Sequence, residues 1–304
     1  MITFQTTIII PTRNRAADLR RCLALLIPQL PAGGSVTIFV CDDSEGAETE
    51  TLLRTEFPAV KRCTGPRIGP GANRNVGARE AADGWLIFLD DDCLPHARLL
   101  ASYLAEIRGA GPEVDRVLSG PVLRHDARKD SLLWEAPHNP KKHELPPSCN
   151  FALPRKVFLG TGGFDERYRI SFEDMELFAR LRILKVPFHF VSEAAVDHPS
   201  RRIPHPSKLA LRWEARVISS FDFGANIPRI LWLLPKHILL VIFSRFRGRK
   251  PGAENLRAAG IFLAEFVIAM SLLPAWLRKY HAAPRSAFWV EQVKNGKAPQ
   301  RFGL

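Results

Sequence analysis

Short apolar runs and helix-spaced apolar stripes alternate along the first two hundred positions. Thr7 to Ile10 is an apolar run closed by Pro11 and reads as a strand. Ala16 to Ile27 carries Leu19, Leu23, Leu26 and Ile27 at helical spacing and ends before Pro28. Val36 to Cys41 is a second strand, Glu48 to Phe57 a helix and Val60 to Cys63 a short strand. Gly71 to Ala82 reads as a helix, Trp85 to Leu89 as a buried strand and Pro95 to Arg108 as a helix. This β-α-β-α-β-α-β order predicts an α/β fold with a mostly parallel sheet and helices on both faces. Asn150 to Leu153 resumes as a strand, and Gly160 to Gly163 is a turn cluster. Phe172 to Leu184 reads as a helix opening on Glu173 and Asp174, with short strands at Phe188–Val191 and Ala194–Val196. Residues 125–147, rich in His, Pro and Lys and without period, predict a loop, either over a site or on the plain surface.

Three strand ends carry polar residues: Pro11-Thr-Arg-Asn14, Asp42-Asp43-Ser44 and the triplet Asp90, Asp91, Asp92. Open α/β sheets bind ligands in the crevice at the carboxyl ends of their strands. Three adjacent carboxylates disfavour one another's ionisation unless a positive charge sits among them. A divalent cation, Mg2+ or Mn2+, meets that need with hard oxygen ligands and also grips phosphate. A solvated acidic turn is the alternative.

The pattern changes after about residue 205. Two long apolar stretches, Ile227–Phe243 and Ala258–Leu277, flank the basic Arg245-Phe-Arg-Gly-Arg-Lys250. The second holds a single charge, Glu265, and is long enough to span a bilayer. Two spans would put the basic connector opposite the N-terminal half, against the cytoplasmic preference of Lys and Arg. Lys236, beside Pro235 and His237, would then lie in mid-membrane at a cost of about 2.5 kcal/mol or more. Arg229, Lys236, His237 and Ser244 share one helical stripe, so the first stretch reads as an amphipathic helix, peripheral or re-entrant at the membrane interface. Packing on the rest of the chain or on a second subunit is the alternative.

The chain has 304 residues, 46% hydrophobic and 24% charged, enough for one large domain with an appendage or two modest domains. A net charge of +12 calls for an anionic partner. No helix-turn-helix, zinc-finger or aromatic-platform signature points that charge to nucleic acid. Cys22, Cys41, Cys63, Cys93 and Cys149 are scattered without a C-x-x-C pair, which fits a reducing compartment. The first residues carry no signal-peptide run, and the expected location is cytoplasmic, at the inner face of the cell membrane.

Ile8-Ile-Ile-Pro-Thr-Arg-Asn14, Val40-Cys-Asp-Asp-Ser44, Gly71-Ala-Asn-Arg-Asn-Val-Gly77, Leu89-Asp-Asp-Asp92, Gly162-Gly-Phe-Asp-Glu166 and Glu173-Asp174 together resemble, in order and spacing, the motifs of family 2 glycosyltransferases with the GT-A fold. The resemblance runs from Ile8 to about His198. It implies a catalytic domain over 1–204, with a nucleotide-sugar half over about 1–124 and an acceptor half over about 148–204. Residues 205–304 would form a helical, membrane-interfacial region. Pro11 and Arg13 would border the base, Arg13 stacking where that family often has an aromatic residue. Asp43 would accept hydrogen bonds from the base, unless it caps a helix. Arg74 would neutralise diphosphate near a helix start, or be an ordinary surface arginine. Asn73 stands where alanine is usual. Asp90 and Asp92 would hold the Mn2+ or Mg2+, with Asp91 contacting ribose or sugar. His198 would complete the metal site, with His205 a weaker substitute; a lone histidine is more often structural. Asp174 would be the general base, with Glu173 orienting it or binding the acceptor; first-turn carboxylates also simply complement a helix dipole.

The expected function is therefore metal-dependent, inverting transfer of a hexosyl group from a nucleoside-diphosphate sugar to a hydroxyl acceptor, lipid-linked or part of a surface polysaccharide. A nucleotidyltransferase would need a glycine-rich basic loop after the first strand, which Pro11-Thr-Arg-Asn14 lacks. A non-catalytic sugar-nucleotide-binding or membrane-scaffold protein is the third reading, although every motif keeps its acidic residue.

Overall fold

The computed structural model describes residues 5–110, 115–124, 128, 130–139, 146–250 and 252–296. In chain order the elements are β1 (Thr6–Thr12), α1 (Ala16–Leu26), β2 (Val36–Asp42), α2 (Glu48–Glu56), β3 (Lys61–Thr64), α3 (Pro70–Glu80), β4 (Trp85–Leu89), β5 (Leu94–Pro95), α4 (Leu99–Ala110), β6 (Val117–Ser119), β7 (Val122–Leu123) and β8 (Trp134–Glu135). They continue with β9 (Asn150–Pro154), α5 (Arg155–Gly160), α6 (Glu173–Ile183), β10 (Phe188–Phe190), β11 (Val196–Asp197), β12 (Arg201–Arg202), α7 (Pro206–Leu211), α8 (Glu214–Asp222), α9 (Ile227–Phe246), α10 (Ala253–Ala282) and α11 (Ala287–Lys294). Of the expected loop 125–147, residues 125–127, 129 and 140–145 lie outside the described residues. Two compact units result: one of Met1–Asp126, Ala136–Arg169 and Glu173–Ser200, the other of Ala127–Glu135, Ile170–Phe172 and Arg201–Leu304.

In the first unit seven strands form one sheet in the order β10-β6-β9-β4-β1-β2-β3. Its pairings are parallel except those of β9, which runs antiparallel to both β4 and β6. β1 continues through Pro11, past the expected stop. Its pairing with β4 ends at Ile9, so the proline, which has no N–H, sits where that ladder has finished. The helix expected from Pro95 begins at Leu99, because Leu94 and Pro95 pair antiparallel with β11 in a small three-stranded sheet. Side-chain alternation along β1 divides the core. Ile8 and Ile10 join Leu19, Leu23, Leu100 and Tyr103 on one face, while Ile9 joins Phe88, Phe151, Phe164 and Phe178 on the other. The Phe88 and Phe151 rings stack at 4.7 Å, and each fully buried phenylalanine contributes roughly 1.5–3 kcal/mol. α3 lies tight on the sheet through Gly77, where a Cβ would stand 2.6 Å from Cys41 Sγ and 2.9 Å from Ile9 Cγ2.

The second unit is mainly helical. Buried Glu265 on α10 accepts hydrogen bonds from Trp213 Nε1 at 2.7 Å and Arg245 Nη1 at 3.2 Å. Leu209 on α7 packs with Ala258 and Phe262 on α10. Asn226 caps α9 by accepting from Arg229 N at 3.0 Å. Both α9 and α10 are long and apolar enough to cross a bilayer by length and composition.

Candidate active site

The carboxyl ends of β1, β2 and β4 and the starts of α3 and α6 carry the acidic and cationic residues of the first unit. At the β2 end, Asp43 N donates to Thr12 O at 2.9 Å, which locks the β2 exit against β1. Asp43 Oδ1 accepts from Arg67 N at 2.9 Å, and Arg67 Nη2 reaches Ser44 O at 2.8 Å. Arg67 and Asn14 hold left-handed backbone, φ 57° and 55°, a conformation that costs energy outside glycine and concentrates at working sites. The residue preceding α2 is Ala47, with no side-chain cap, so Asp43 does not cap that helix. Burial pushes the Asp43 carboxyl up, opposed by the Arg67 N–H and by Arg13. Pro11 is buried beside it, whereas Arg13 is exposed and paired with Glu45 at 2.9 Å.

Asn73, the unusual residue of its motif, is buried and donates Nδ2 to Cys41 O at 2.7 Å. That bond orients the amide and leaves Oδ1, a buried acceptor without a hydrogen-bond partner among the described residues, toward Gly65. A Cβ on Gly65 would stand 2.0 Å from Asp43 Oδ1 and 2.1 Å from Asn73 Oδ1. Only glycine fits there.

Arg74 is not a surface residue. Its side chain, 3% exposed, pairs through Nη2 with Asp90 Oδ1 at 2.5 Å and through Nη1 with Glu173 Oε1 at 3.2 Å. Burial alone lowers an arginine pKa, but Asp90 and Glu173 outweigh it and hold the guanidinium firmly charged. Burial would raise Asp90, yet Arg74, His198 and Arg15 more than offset it, and the net direction is down. Asp91 turns toward β1, accepting from Thr12 Oγ1 at 2.8 Å and Arg15 Nη1 at 3.2 Å. Burial pushes its carboxyl up to about 7 despite Arg15, with Asp92 adding to the rise.

Asp92 and His198 are both buried, with His198 Nε2 3.4 Å from Asp92 Oδ1. The other ring nitrogen, Nδ1, lies 3.1 Å from Pro199 O. A carbonyl only accepts, so Nδ1 donates to it and Nε2 is the ring atom turned toward the Asp92 carboxylate. Either a proton on Nε2 or a metal between the two atoms suits that 3.4 Å approach. Asp92, Cys93 and His198 bring one ligand atom each to within 4.8 Å of one another. The carboxylate and imidazole suit a divalent ion, whereas the Cys93 thiol donates to Cys149 O at 3.6 Å and is no ligand for a hard cation. His205, the weaker histidine candidate, belongs to the second unit and caps α7 by accepting from Ser207 N.

Glu173 and Asp174 open α6. Asp174 Oδ2 accepts from Ser148 N at 3.1 Å and Oδ1 from Met175 N at 2.7 Å. Burial raises Asp174 against those two N–H groups. Burial and Asp174 push Glu173 up to about 7, against the pull of Arg74. The preceding Gly162-Gly-Phe-Asp-Glu166 segment is scaffold. Gly162 and Gly163 supply φ 86° and 69°, Asn75 brackets Phe164 by bonds to its N and O at 2.9 and 2.8 Å, and Phe164 sits in the aromatic core. Thr12, Arg15, Arg67, Ser148 and Cys93 were absent from the sequence-derived set. Of these, Thr12 lay inside the polar strand end Pro11-Thr-Arg-Asn14 without being assigned a role, and Arg67 left a local signal between Gly65 and Gly69 at a strand exit.

Residues 7–155 match the family described as glycosyl transferase family 2. A pre-mycofactocin glycosyltransferase of Mycobacterium tuberculosis is 29% identical over 209 residues, 64% of this chain and 43% of that protein. A validoxylamine A glucosyltransferase of Streptomyces hygroscopicus is 28% identical over 239 residues, 64% of this chain and 56% of that protein. The chain thus spans about half the length of these curated relatives. Among solved structures, Staphylococcus aureus TarS 1-349 in complex with UDP-GlcNAc superposes with TM-score 0.55 at 18% identity, covering 96% of this chain and 90% of that one. The mannosyltransferase PcManGT of Pyrobaculum calidifontis, in complex with GDP-Man and Mn2+, gives TM-score 0.51 at 18% identity over 99% of this chain and 83% of that one. These superpositions establish the GT-A fold.

Proposed function

Residues 7–155 belong to glycosyl transferase family 2, and from that premise we propose a metal-dependent, inverting hexosyl transfer from a nucleoside-diphosphate sugar to a hydroxyl acceptor. The observation that carries this reading is the Arg74 bridge. One buried guanidinium joins the acidic end of β4 to the acidic start of α6, which supports reading the two sets of carboxylates as parts of one site.

Asp43 accepts an N–H of the base, with Pro11 and Arg13 bordering it. Asp92 and His198, with Asp90 beside them, would hold Mn2+ or Mg2+. Such an ion supplies charge neutralisation for the departing diphosphate. Asp174, raised by burial, takes the proton from the acceptor hydroxyl. The freed oxygen lone pair forms the new bond at the anomeric carbon. The bond to diphosphate breaks, its electron pair leaves with the nucleoside diphosphate, and configuration inverts. Glu173 orients Asp174, and Arg74 keeps the acidic set from drifting to full protonation. Asp91, held by Thr12 and Arg15, braces the β4 end rather than touching the sugar. The relatives' names and the UDP-GlcNAc and GDP-Man complexes of the structural neighbours support a hexose donor. The apolar helices of the second unit support an acceptor that is lipid-linked or part of a surface polysaccharide, reached from the cytoplasmic face of the membrane.

Thermal unfolding with UDP, dTDP, GDP or CDP, with and without Mn2+, tests the donor site. A ligand at about a hundred times its dissociation constant adds roughly 2.7 kcal/mol. One nucleotide should stabilise in a Mn2+-dependent way, and Asp92→Asn should abolish the metal dependence. Absence of any shift would overturn the assignment.

A further inference from the structure

We infer that the second unit carries a docking face for an anionic phospholipid surface, on which α9 and α10 lie half-immersed rather than crossing the bilayer. The inference stands on this unit alone and is independent of the sugar-transfer reading.

Both helices show two unlike faces. On α9, Trp232, Leu239 and Phe243 are exposed, Trp232 by 74% and Phe243 by 69%, with Leu240 beside them. On α10, Leu256, Leu263 and Val267 repeat the same spacing of seven and four residues, with Leu256 exposed by 74%. Such spacing keeps each set on one side of its helix. Ile230, Leu234 and Ile238 on α9, and Ala258, Phe262, Glu265 and Ala269 on α10, are buried on the other side. A soluble monomer rarely leaves so much large apolar surface in water.

The covered side decides between lying on the membrane and spanning it. α10 packs on α7 and α8 through Leu209 and through Trp213, whose indole donates to Glu265. Those partners are ordinary amphipathic elements. Lys208 on α7 is exposed, Arg212 pairs with Glu135, and Glu214 at the start of α8 binds Lys279 at 2.8 Å and Tyr280 at 2.7 Å. A spanning α10 would carry these charges into hydrocarbon, where each is costly. Immersing only the free side costs nothing of that kind. Exposed Arg229 and Lys236 sit near that side of α9 with stems long enough to snorkel.

Charge chooses the occupant. The connector between α9 and α10 holds Arg247, Arg249 and Lys250, all exposed, between the apolar faces that end at Phe243 and begin at Leu256. Basic residues flanking an interfacial apolar face attract anionic head groups. A second copy of this chain would bring a like set of cations to the same edge and be repelled.

Flotation of the full chain with vesicles of phosphatidylcholine, with or without phosphatidylglycerol, tests the inference. Binding should rise about tenfold with phosphatidylglycerol, fall with added salt, and be released by alkaline carbonate. Trp232→Ser with Phe243→Ser should abolish binding to both vesicle types while helix content by circular dichroism stays unchanged. Arg247→Glu with Lys250→Glu should erase only the anionic preference. Failure to float with either lipid would overturn the proposal, as would resistance to carbonate, which marks a spanning helix. A dimer in light scattering that the two serine substitutions dissolve would assign the face to a second copy and overturn it equally.

Discussion

Replacing Arg74 with methionine keeps the stem and removes the charge, and the structure sets the size of the effect. The guanidinium lies 2.5 Å from an Asp90 oxygen and 3.2 Å from a Glu173 oxygen, with Glu173 8% and Asp90 24% exposed. Charge centres about 4 Å apart attract by about 4 kcal/mol at an effective dielectric of 20. Stripping one partner from a buried pair typically costs about 3–5 kcal/mol, because the remaining charge stays desolvated. Proton uptake limits the loss. Without Arg74 both carboxyls rise, Glu173 from a position already near 7, and at low pH they become neutral. The variant should lose about 3 kcal/mol or more at pH 8 and clearly less at pH 6, a difference that urea unfolding at the two pH values reads directly. The acid limb of its pH–kcat/KM profile should also move upward, because the acidic set loses its cation. A loss under about 1 kcal/mol, equal at both pH values, would refute the internal-strut role. If donor affinity collapsed while stability held, Arg74 would be a diphosphate ligand after all.

Three further outcomes follow from the same geometry. Asp174→Asn should keep nucleotide-induced stabilisation and lose about 100- to 10,000-fold in kcat, measured by nucleoside-diphosphate release; retained turnover would put the base elsewhere. Gly65→Ala would drive a methyl into Asp43 Oδ1 and Asn73 Oδ1, costing about 1–3 kcal/mol as overpacking and weakening nucleotide binding by calorimetry; unchanged affinity would separate Gly65 from the base site. Glu173 gains its proton more readily folded, near pH 7, than unfolded, near its ordinary 4.5. Between those values the native state holds the extra proton, so its contribution to stability falls as pH rises from about 4.5 to 7, by roughly 1–3 kcal/mol in all. Glu173→Gln should flatten that slope in apo-protein melting curves, and an unaltered slope would remove Glu173 as its source.

Elements whose signal is local were legible in the sequence. β4 is a five-residue apolar run buried at every position, and α1 buries Leu19, Leu23 and Leu26 as its spacing predicts. Pairing was not legible. β9 reads as one more strand, and nothing within Asn150–Pro154 tells that it runs antiparallel between β4 and β6. Pro95 reads as a first helical residue, but a tertiary partner, Val196, draws it into a strand. The site divides in the same way. Acidic residues declare themselves by type and place, whereas their partners lie far off in the chain, Thr12 79 residues from Asp91 and Arg74 99 from Glu173. One signal was available for Arg74. Gly71, Ala72, Gly77 and Ala78 make α3 small on more than one side, and a helix of small residues packs closely enough to bury an arginine among them.

That partner set changes what the aspartate triplet means. Three adjacent carboxylates demand positive charge, and a metal was the economical way to meet the demand from sequence. The fold meets much of it with its own cations, since Arg74 pairs with Asp90 and Arg15 with Asp91. Crowding of acids is therefore no argument for a metal here. The argument rests instead on the 3.4 Å approach of His198 Nε2 to the Asp92 carboxylate, with Nδ1 held at the Pro199 carbonyl. Metal affinity should accordingly respond to Asp92→Asn and His198→Ala far more than to Asp91→Asn. Equal losses from all three would return the demand for a cation to the triplet as a whole.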